Sequence, residues 1–584
     1  MKDKNTIDRR AFLKVGGMLA LSAPAARVIS TMGDQEIVES EGAYGGFAVR
    51  RHAKDDPPYQ VDDEIYQRYD FRKGLNPLVM GAVGATMLER TRNREPGFTR
   101  LGLAFQEGAW TVANAFGSDS LYGDGGLYSW SMLENTGTHG APDFPAELGT
   151  WDYEAEGVTR EEVSRAVKKA AKFYGASLAG IAEVDQRWFY RKSIYMDMSE
   201  LLSGAGEMAE EQGLEMPEIG KASGREVVMQ AMLSMEAKDT KALLVRTVKM
   251  ADPEILPEGM NPTAAKAIPV LMIHRMLPTV MPTMSREYVH LLASEIDPAL
   301  LPEDFDPDQI LEEDETAVEI SESMPAGEIR FEDVEAPYHD RENKVQVIPT
   351  SMKYVIVMAF EMDPVGLSLE HGLESGGSVS HGYSRMAFTS ASLAQFIRYL
   401  GYQAVPLGND TGWSVPMAVD AGLGELSRIG ILVTPKYGPR IRLAKVVTDM
   451  PLAADQPISF GVTEFCEVCG KCAESCPSGA ITAGERGYDT PPTGNPGVYK
   501  WAADGAKCIN YWAESGTGCS QCIVSCPFNK VEGWLHEATR ILIGAKSGPL
   551  DKLLLKLDDA SGYGTPKPSR EFWDQDTCMH IKES

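Results

Sequence analysis

Cys466-Glu467-Val468-Cys469-Gly470-Lys471-Cys472-Ala473-Glu474-Ser475-Cys476-Pro477 is the stretch whose spacing decides how the C-terminal part of this chain folds. A second run, Cys508-x10-Cys519-x2-Cys522-x3-Cys526-Pro527, ends in the same way. Together they hold eight of the nine cysteines, and none precedes Cys466. Structural disulfides would be spread over the domains they staple, so this clustering speaks for metal ligation. Gaps of two residues let one loop present three thiolates to one iron–sulfur cluster, while the fourth cysteine, before proline, reaches a second cluster. The spacing therefore predicts two [4Fe–4S] clusters with crossed ligands. One would be held by Cys466, Cys469, Cys472 and Cys526, the other by Cys476, Cys508, Cys519 and Cys522. Structural zinc also uses C-x2-C pairs, but it does not account for the C-x2-C-x2-C-x3-C-P run or its repetition. Cys578 is left over and reads as a spare thiol.

Working outward, 584 residues allow two or three domains with a large core. A net charge of −28 argues against nucleic acid as a partner, because phosphate binding requires basic patches. At the N-terminus, Arg9-Arg10-Ala11-Phe12-Leu13-Lys14 precedes a short apolar stretch and Ser22-Ala23-Pro24-Ala25-Ala26. This pattern predicts a twin-arginine export signal over residues 1–30. Its apolar run is far shorter than the ~20 residues that a bilayer span requires. Export of folded protein agrees with clusters inserted in the cytoplasm, and it places the chain at the outer face of the cytoplasmic membrane as a peripheral protein.

Residues 31–158 read as loops and short elements wrapping another domain. At Thr159-x-x-Glu162 a capping box opens a helix carrying Val163, Ala166, Val167 and Ala170 on one face. Gly175 ends it and a strand follows over Leu178–Val184. This step predicts an α/β (α+β) domain over 159–455, interrupted by a methionine-rich and acidic insertion at about 196–345. Met229, Met232, Met235, Met272 and Met276 read as core filler, and the proline-bearing acidic stretch 295–345 as an exposed insertion or linker. Tyr354–Phe360 is an apolar run suited to a buried strand. A Gly-rich loop is expected at Gly372–Gly382, then a helix over Ser384–Leu400, a strand at Tyr402–Val405, a helix near Pro416–Ala421 and a strand at Ile431–Val433. Gly422 and Gly424 lack the residues that complete a phosphate loop. The cluster domain is expected over 456–535, with 536–584 as a tail. The histidines show no metal-ligand spacing, and His536 reads as a surface residue.

The export signal, the Ala421-Gly-Leu-Gly-Glu-Leu segment, the Thr434-Pro-Lys-Tyr-Gly-Pro-Arg-Ile-Arg442 segment and the two cluster motifs, in this order, resemble the catalytic subunits of respiratory reductive dehalogenases. The firm part of the likeness covers about residues 160–184 and 350–530. It implies a nitroreductase-like corrinoid-binding domain followed by a bacterial ferredoxin-like 2×[4Fe–4S] domain. It also implies a base-off, cobalamin-type corrinoid. The Asp-x-His-x-x-Gly motif of histidine-ligated corrinoid proteins is absent from the sequence, and loss of an axial donor favours reduction to Co(I).

By position, the resemblance implies Tyr383 as proton donor, at the start of the helix after the Gly-rich loop. It implies Asn409, near the corrinoid, and Arg442 as its polar companions. A phenol ionises near ~10 in water, so it can donate at neutral pH, and a nearby guanidinium favours the phenolate that results. Taken alone, a helix tyrosine is more often a buried aromatic with a satisfied hydroxyl. Trp512 either lines the substrate cavity or packs against the cluster loop. The implied reaction removes halide from an organohalide, with electrons from a membrane donor, a small membrane-anchor subunit as partner, and room for a homodimer. The nearer cluster would be the one held by Cys476, Cys508, Cys519 and Cys522. An epoxyqueuosine reductase, which acts on tRNA, is disfavoured by the charge and the export signal. A non-catalytic electron-transfer subunit is disfavoured by the long α/β region.

Overall fold

The structure, a computed structural model, describes residues 49–74, 90–117, 149–194, 326–340, 342–369, 372–409, 411–529 and 548–560, with single positions between them. The export signal, the methionine-rich stretch, His536 and Cys578 lie outside the described residues. The elements that build the site are α1 (Arg100–Gly117), α2 (Arg160–Tyr174), β1 (Leu178–Glu183), β2 (Tyr354–Glu361), α3 (Leu373–Arg398), β3 (Ala404–Leu407), α4 (Ser414–Asp420), β4 (Ile441–Thr448) and α5 (Gly505–Ser515). Among the described residues no helix is long and apolar enough to cross a membrane.

α2 starts where the capping box placed it. The Thr159 hydroxyl accepts from the Glu162 N–H, and the Glu162 carboxylate accepts from the Thr159 N–H at 2.9 Å. Together these satisfy two of the donors that a helix start leaves open. The strands order β1-β2-β4-β3, and every pairing is antiparallel. β2 is apolar on both faces because both are covered. Val355, Val357 and Ala359 join one core, while Ile356, Met358 and Phe360 join the other beneath α2 and α3. Burying each such larger side chain contributes about 1.5–3 kcal/mol, so this strand anchors the domain.

Three sequence expectations are corrected. First, residues 326–345 are not an exposed linker. Ala326–Glu332, Tyr338–Asp340 and Val345–Pro349 form a second sheet with Lys192–Ile194; Ile329 and Ile348 enter the main core, and Val347 is buried as well. The acidic residues alternate with these apolar ones, which masks a strand pattern. Second, the region read as loops over 31–158 contains the 18-residue helix α1. Its Arg50–Arg51 segment does wrap, pairing antiparallel with Ile458–Ser459.

Third, Gly372–Gly382 is not a loop. The helix α3 begins at Leu373 and runs for 26 residues, so Tyr383 sits in its third turn rather than at its start. The glycines serve close helix packing. A Cβ at Gly377 would lie 2.5 Å from the Phe105 ring of α1, and one at Gly376 would lie 2.2 Å from Gln106 Oε1. The helix pays the poor propensity of glycine, and packing of α1 against α3 offsets it. The remaining expected elements hold with shifts of one or two residues, as is usual at element ends.

Gly377→Val is expected to lower stability by about 1–3 kcal/mol through overpacking against Phe105. The measurement is thermal denaturation with limited proteolysis between α1 and α3. An unchanged melting temperature would show that α1 is not seated there.

Candidate active site and cluster ligands

The site forms at one end of the main sheet. β4 pairs with β2 so that Arg442 stands opposite Phe360, and α3 crosses the same face. Arg442 Nη1 donates to the Tyr383 hydroxyl at 3.3 Å, and its guanidinium carbon lies 4.7 Å from the centre of that ring. On the other side Trp110 of α1 stacks on Tyr383 at 5.1 Å with ring planes 19° apart. The phenol ring thus contacts both an indole and a guanidinium, which fixes its direction. Gly382 makes the approach possible, since a Cβ there would stand 3.0 Å from Arg442 Cγ.

Asn409 lies at the same sheet end but not in the same contact set. β3 is antiparallel to β4 with Leu407 opposite Lys445, so the chain leaving β3 runs toward the Arg442 end of β4. Asn409 is exposed there, and its Oδ1 accepts from Ser414 Oγ at 3.1 Å. Trp512 lies on α5, half-buried, packed with Val83 and Ile509. Its indole N–H is buried and finds no partner among the described residues. Packing against the cluster domain and an open polar contact therefore both hold for it.

Two residues were not found by sequence reading. Trp110 carried no motif. Lys445 is fully buried in β4, and its Nζ donates to the Gly408 carbonyl, to the Gly412 carbonyl at 3.1 Å and to Ser414 Oγ at 2.7 Å. Gly408 and Gly412 belong to the loop that carries Asn409, and Ser414 opens α4 directly after it. A lysine inside the apolar run Leu443–Val447 was the available signal, since lysine is rarely fully buried without partners.

In the cluster domain the Cys526 sulfur lies near those of Cys466, Cys469 and Cys472, and the Cys519 sulfur near those of Cys508 and Cys476. Burial raises the Cys526 thiol well above its ordinary value, and Cys466, Cys469 and Cys472 are the sulfurs that add to the effect. Burial likewise raises Cys519 to about 11, with Cys508 and Cys476 as its neighbouring sulfurs. The two motifs meet at equivalent serines, with Ser475 Oγ donating to Ser525 Oγ at 2.8 Å. Cys476 differs. Burial would raise it, but the Ser478 hydroxyl and the N–H groups around Ala480 and Ile481 outweigh burial and hold it below the ordinary value. Buried thiols this reluctant to ionise suit thiolate sites whose protons are displaced by iron. Among the described residues no group of three or more His, Cys, Asp or Glu side chains is disposed to hold one metal ion.

The two domains are tied at the Thr434–Arg442 segment. Arg440 is buried, bridging to Glu361 at 2.9 Å and donating from Nη1 to Asn529 Oδ1 at 3.1 Å, just past Cys526. Gly438 has φ +57°, and a Cβ there would meet the Phe528 carbonyl at 2.2 Å. Cys522 packs against Met362, Leu367 and Val379, so the second ligand set faces the α+β domain. Along this seam several buried polar atoms lack partners among the described residues: Gln106 Oε1, Trp413 Nε1, Arg442 Nε, Thr493 Oγ1, Trp512 Nε1 and Thr517 Oγ1. Such atoms are costly unless a polar group meets them. They come from both domains, and they fit a large cofactor edged with amides, as a corrinoid is.

Fold and site together define a class of two-domain protein, in which an α+β domain carrying the Tyr383–Arg442 contact abuts a cysteine-rich domain with two cluster-type motifs. Comparison narrows that class. Residues 465–530 match the family model described as a 4Fe-4S dicluster domain. The tetrachloroethene reductive dehalogenase of Sulfurospirillum multivorans is 43% identical over 247 residues, 42% of this chain and 49% of that protein. The tetrachloroethene reductive dehalogenase of Desulfitobacterium hafniense is 43% identical over 219 residues, 37% of this chain and 39% of that protein. An epoxyqueuosine reductase of Lactococcus garvieae is 34% identical over 131 residues, 21% of this chain and 34% of that protein. A solved catabolic reductive dehalogenase, NpRdhA, matches with a TM-score of 0.48 at 17% identity, covering 88% of this chain and 49% of that chain. The chain resembles the reductive dehalogenases, and it spans about half or less of the length of these curated relatives.

Lys445→Met is expected to destabilise the protein by about 2–5 kcal/mol, since it strips the donor from buried acceptors. Hydrogen exchange should rise over 408–414 before it rises elsewhere. Protection of that loop unchanged from the parent chain would remove Lys445 from the site's support.

Proposed function

We infer that this chain is the catalytic subunit of a corrinoid-dependent reductive dehalogenase, converting an organohalide, two electrons and a proton to the reduced carbon and halide. The Tyr383–Arg442 pair beside a two-cluster domain carries this reading. When bound, a corrinoid supplies the strong reductant that carbon–halogen cleavage requires. The chain's residues do the rest. The cysteine sets hold the clusters that deliver electrons one at a time. Tyr383 offers its phenolic proton to the carbon. Arg442 and Trp110 hold the ring in place, and the guanidinium stabilises the phenolate left behind. Asn409, on a loop tied down by Lys445 and Ser414, borders the same sheet end and can orient substrate. We infer further that the Arg9-Arg10 signal sends the folded protein to the outer face of the cytoplasmic membrane, where a small membrane-anchor subunit and a membrane donor would feed it. The order of assembly supports this, because clusters are inserted before a folded chain is exported.

Reconstituted protein should contain about one cobalt for eight iron; iron without corrinoid would refute the proposal. Tyr383→Phe should cut halide release by about 10²–10⁴-fold while iron and cobalt contents stay those of the parent protein. Full activity in that variant would remove Tyr383 as the donor. A panel of chlorinated alkenes, chlorinated alkanes and halophenols, assayed by halide release, identifies the substrate class.

A further inference from the structure

Arg428 follows the short Glu425–Leu426 strand of the α+β domain, yet its side chain ends in the cluster domain. It is buried at 5% exposure. Nε and Nη2 both donate to the Cys466 carbonyl, at 3.2 and 2.9 Å, and Nη1 donates to the carbonyls of Thr482 and Gly484 at 3.0 and 2.8 Å. The guanidinium carbon lies 4.6 Å from the centre of the Trp501 ring. The Arg428 backbone N–H is turned to the Cys466 sulfur.

These bonds hold the guanidinium in place but bring it no negative charge, since each acceptor is a neutral carbonyl. Burying a cation without a counter-charge costs several kcal/mol. The charge of Arg428 acts on the sulfurs of Cys466 and Cys472, where it opposes the effect of burial. A [4Fe–4S] cluster on four thiolates is a dianion when oxidised and a trianion when reduced. It is therefore the counter-charge that this site lacks.

Beside the second ligand set stands Asp504, which acts on Cys508 and disfavours added negative charge there. Around the first set, Lys471 also acts on Cys469, but it is paired with Asp558 at 2.7 Å, and the two act in opposite directions. Arg428 at the first set and Asp504 at the second thus give the two sets neighbouring charges of opposite sign.

We propose that Arg428 sets the reduction potential of the cluster held by Cys466, Cys469, Cys472 and Cys526, placing it above that of the cluster held by Cys476, Cys508, Cys519 and Cys522. Its charge and its N–H toward sulfur both favour the reduced cluster, as hydrogen bonds to cluster sulfurs and nearby positive charge do in general. Arg428 touches no substrate in this scheme and acts by tuning the first cluster. The proposal rests on the two-cluster reading above, which the iron content tests separately.

The experiment is an EPR-monitored redox titration of the reconstituted full chain. The parent protein should show two midpoint potentials. Arg428→Met should lower the upper one, changing that cluster's reduction equilibrium about tenfold, ~59 mV for one electron, and leave the lower one in place. Arg428→Lys keeps the charge and should stay near the parent value. Eight irons per chain with no shift in Arg428→Met, an equal shift of both potentials, or an equal shift in Arg428→Lys would each overturn the proposal while leaving the cluster reading intact.

If Arg428→Met loads fewer irons, the parent protein itself decides. With 15N-arginine, pulsed EPR of the partly reduced protein should show a weak arginine nitrogen coupling on the cluster of higher potential. Absence of that coupling would overturn the assignment.

Discussion

The guanidinium of Arg442 lies over the ring of Tyr383, and most of the architecture is needed to put it there. The register of β4 on β2 fixes which residue reaches that face, because a slip of one position would send Arg442 into the opposite core. The helix α3 must pass close to β4, which Gly382 permits. It must also be held by α1, which Gly376 and Gly377 permit. Trp110 then closes the far side of the ring. A phenol clamped in this way loses few degrees of freedom when it donates, and geometric preparation of that kind is a main source of catalytic advantage.

The parts of the fold legible in the sequence are those governed by local pattern. The capping box at Thr159 and the apolar run of β2 are read from neighbours in the chain, and the structure places both within a residue of expectation. The cysteine sets are legible for a different reason: cluster geometry constrains spacing directly. What escaped depends on distant partners. The glycines of α3 look like a loop unless one knows that α1 lies against them. The strand Ala326–Glu332 looks like an acidic linker unless its apolar residues are seen facing the main core. Trp110 and Lys445 carry no spacing signal, since each acts on a group far away in sequence. Tyr383 and Arg442, implied by resemblance, do meet; Asn409 shares their sheet end without touching them in any contact described.

The seam between the domains carries most of the chemistry. Arg440 and Gly438 bind the two halves at the end of β2 and the second cysteine motif. Cys522 packs on the α+β domain from the other side. Electron delivery demands such rigidity, because tunnelling falls steeply with distance and a loose seam would vary the path. The unpartnered polar atoms along the seam make the same point. A fold keeps costly buried donors and acceptors only where something meets them.

The distribution of charge joins these features. In a chain of net charge −28, one stretch, residues 428–445, carries Arg428, Lys436, Arg440, Arg442 and Lys445, and Arg428, Arg440 and Lys445 are nearly or wholly buried. Reducing a cluster adds negative charge, and in the proposed reaction a proton given up by Tyr383 would leave an anion. Fixed guanidinium groups stabilise both kinds of product without rearranging, and they do so more strongly in a medium that excludes water. A uniformly acidic interior would oppose each step. In the proposed reaction Arg428 would serve this purpose at the first cluster and Arg442 at the phenol, while Arg440 and Lys445 hold the surrounding segments. The acidic remainder of the chain leaves that purpose untouched, because exposed charge is screened within about 8–10 Å of salt solution.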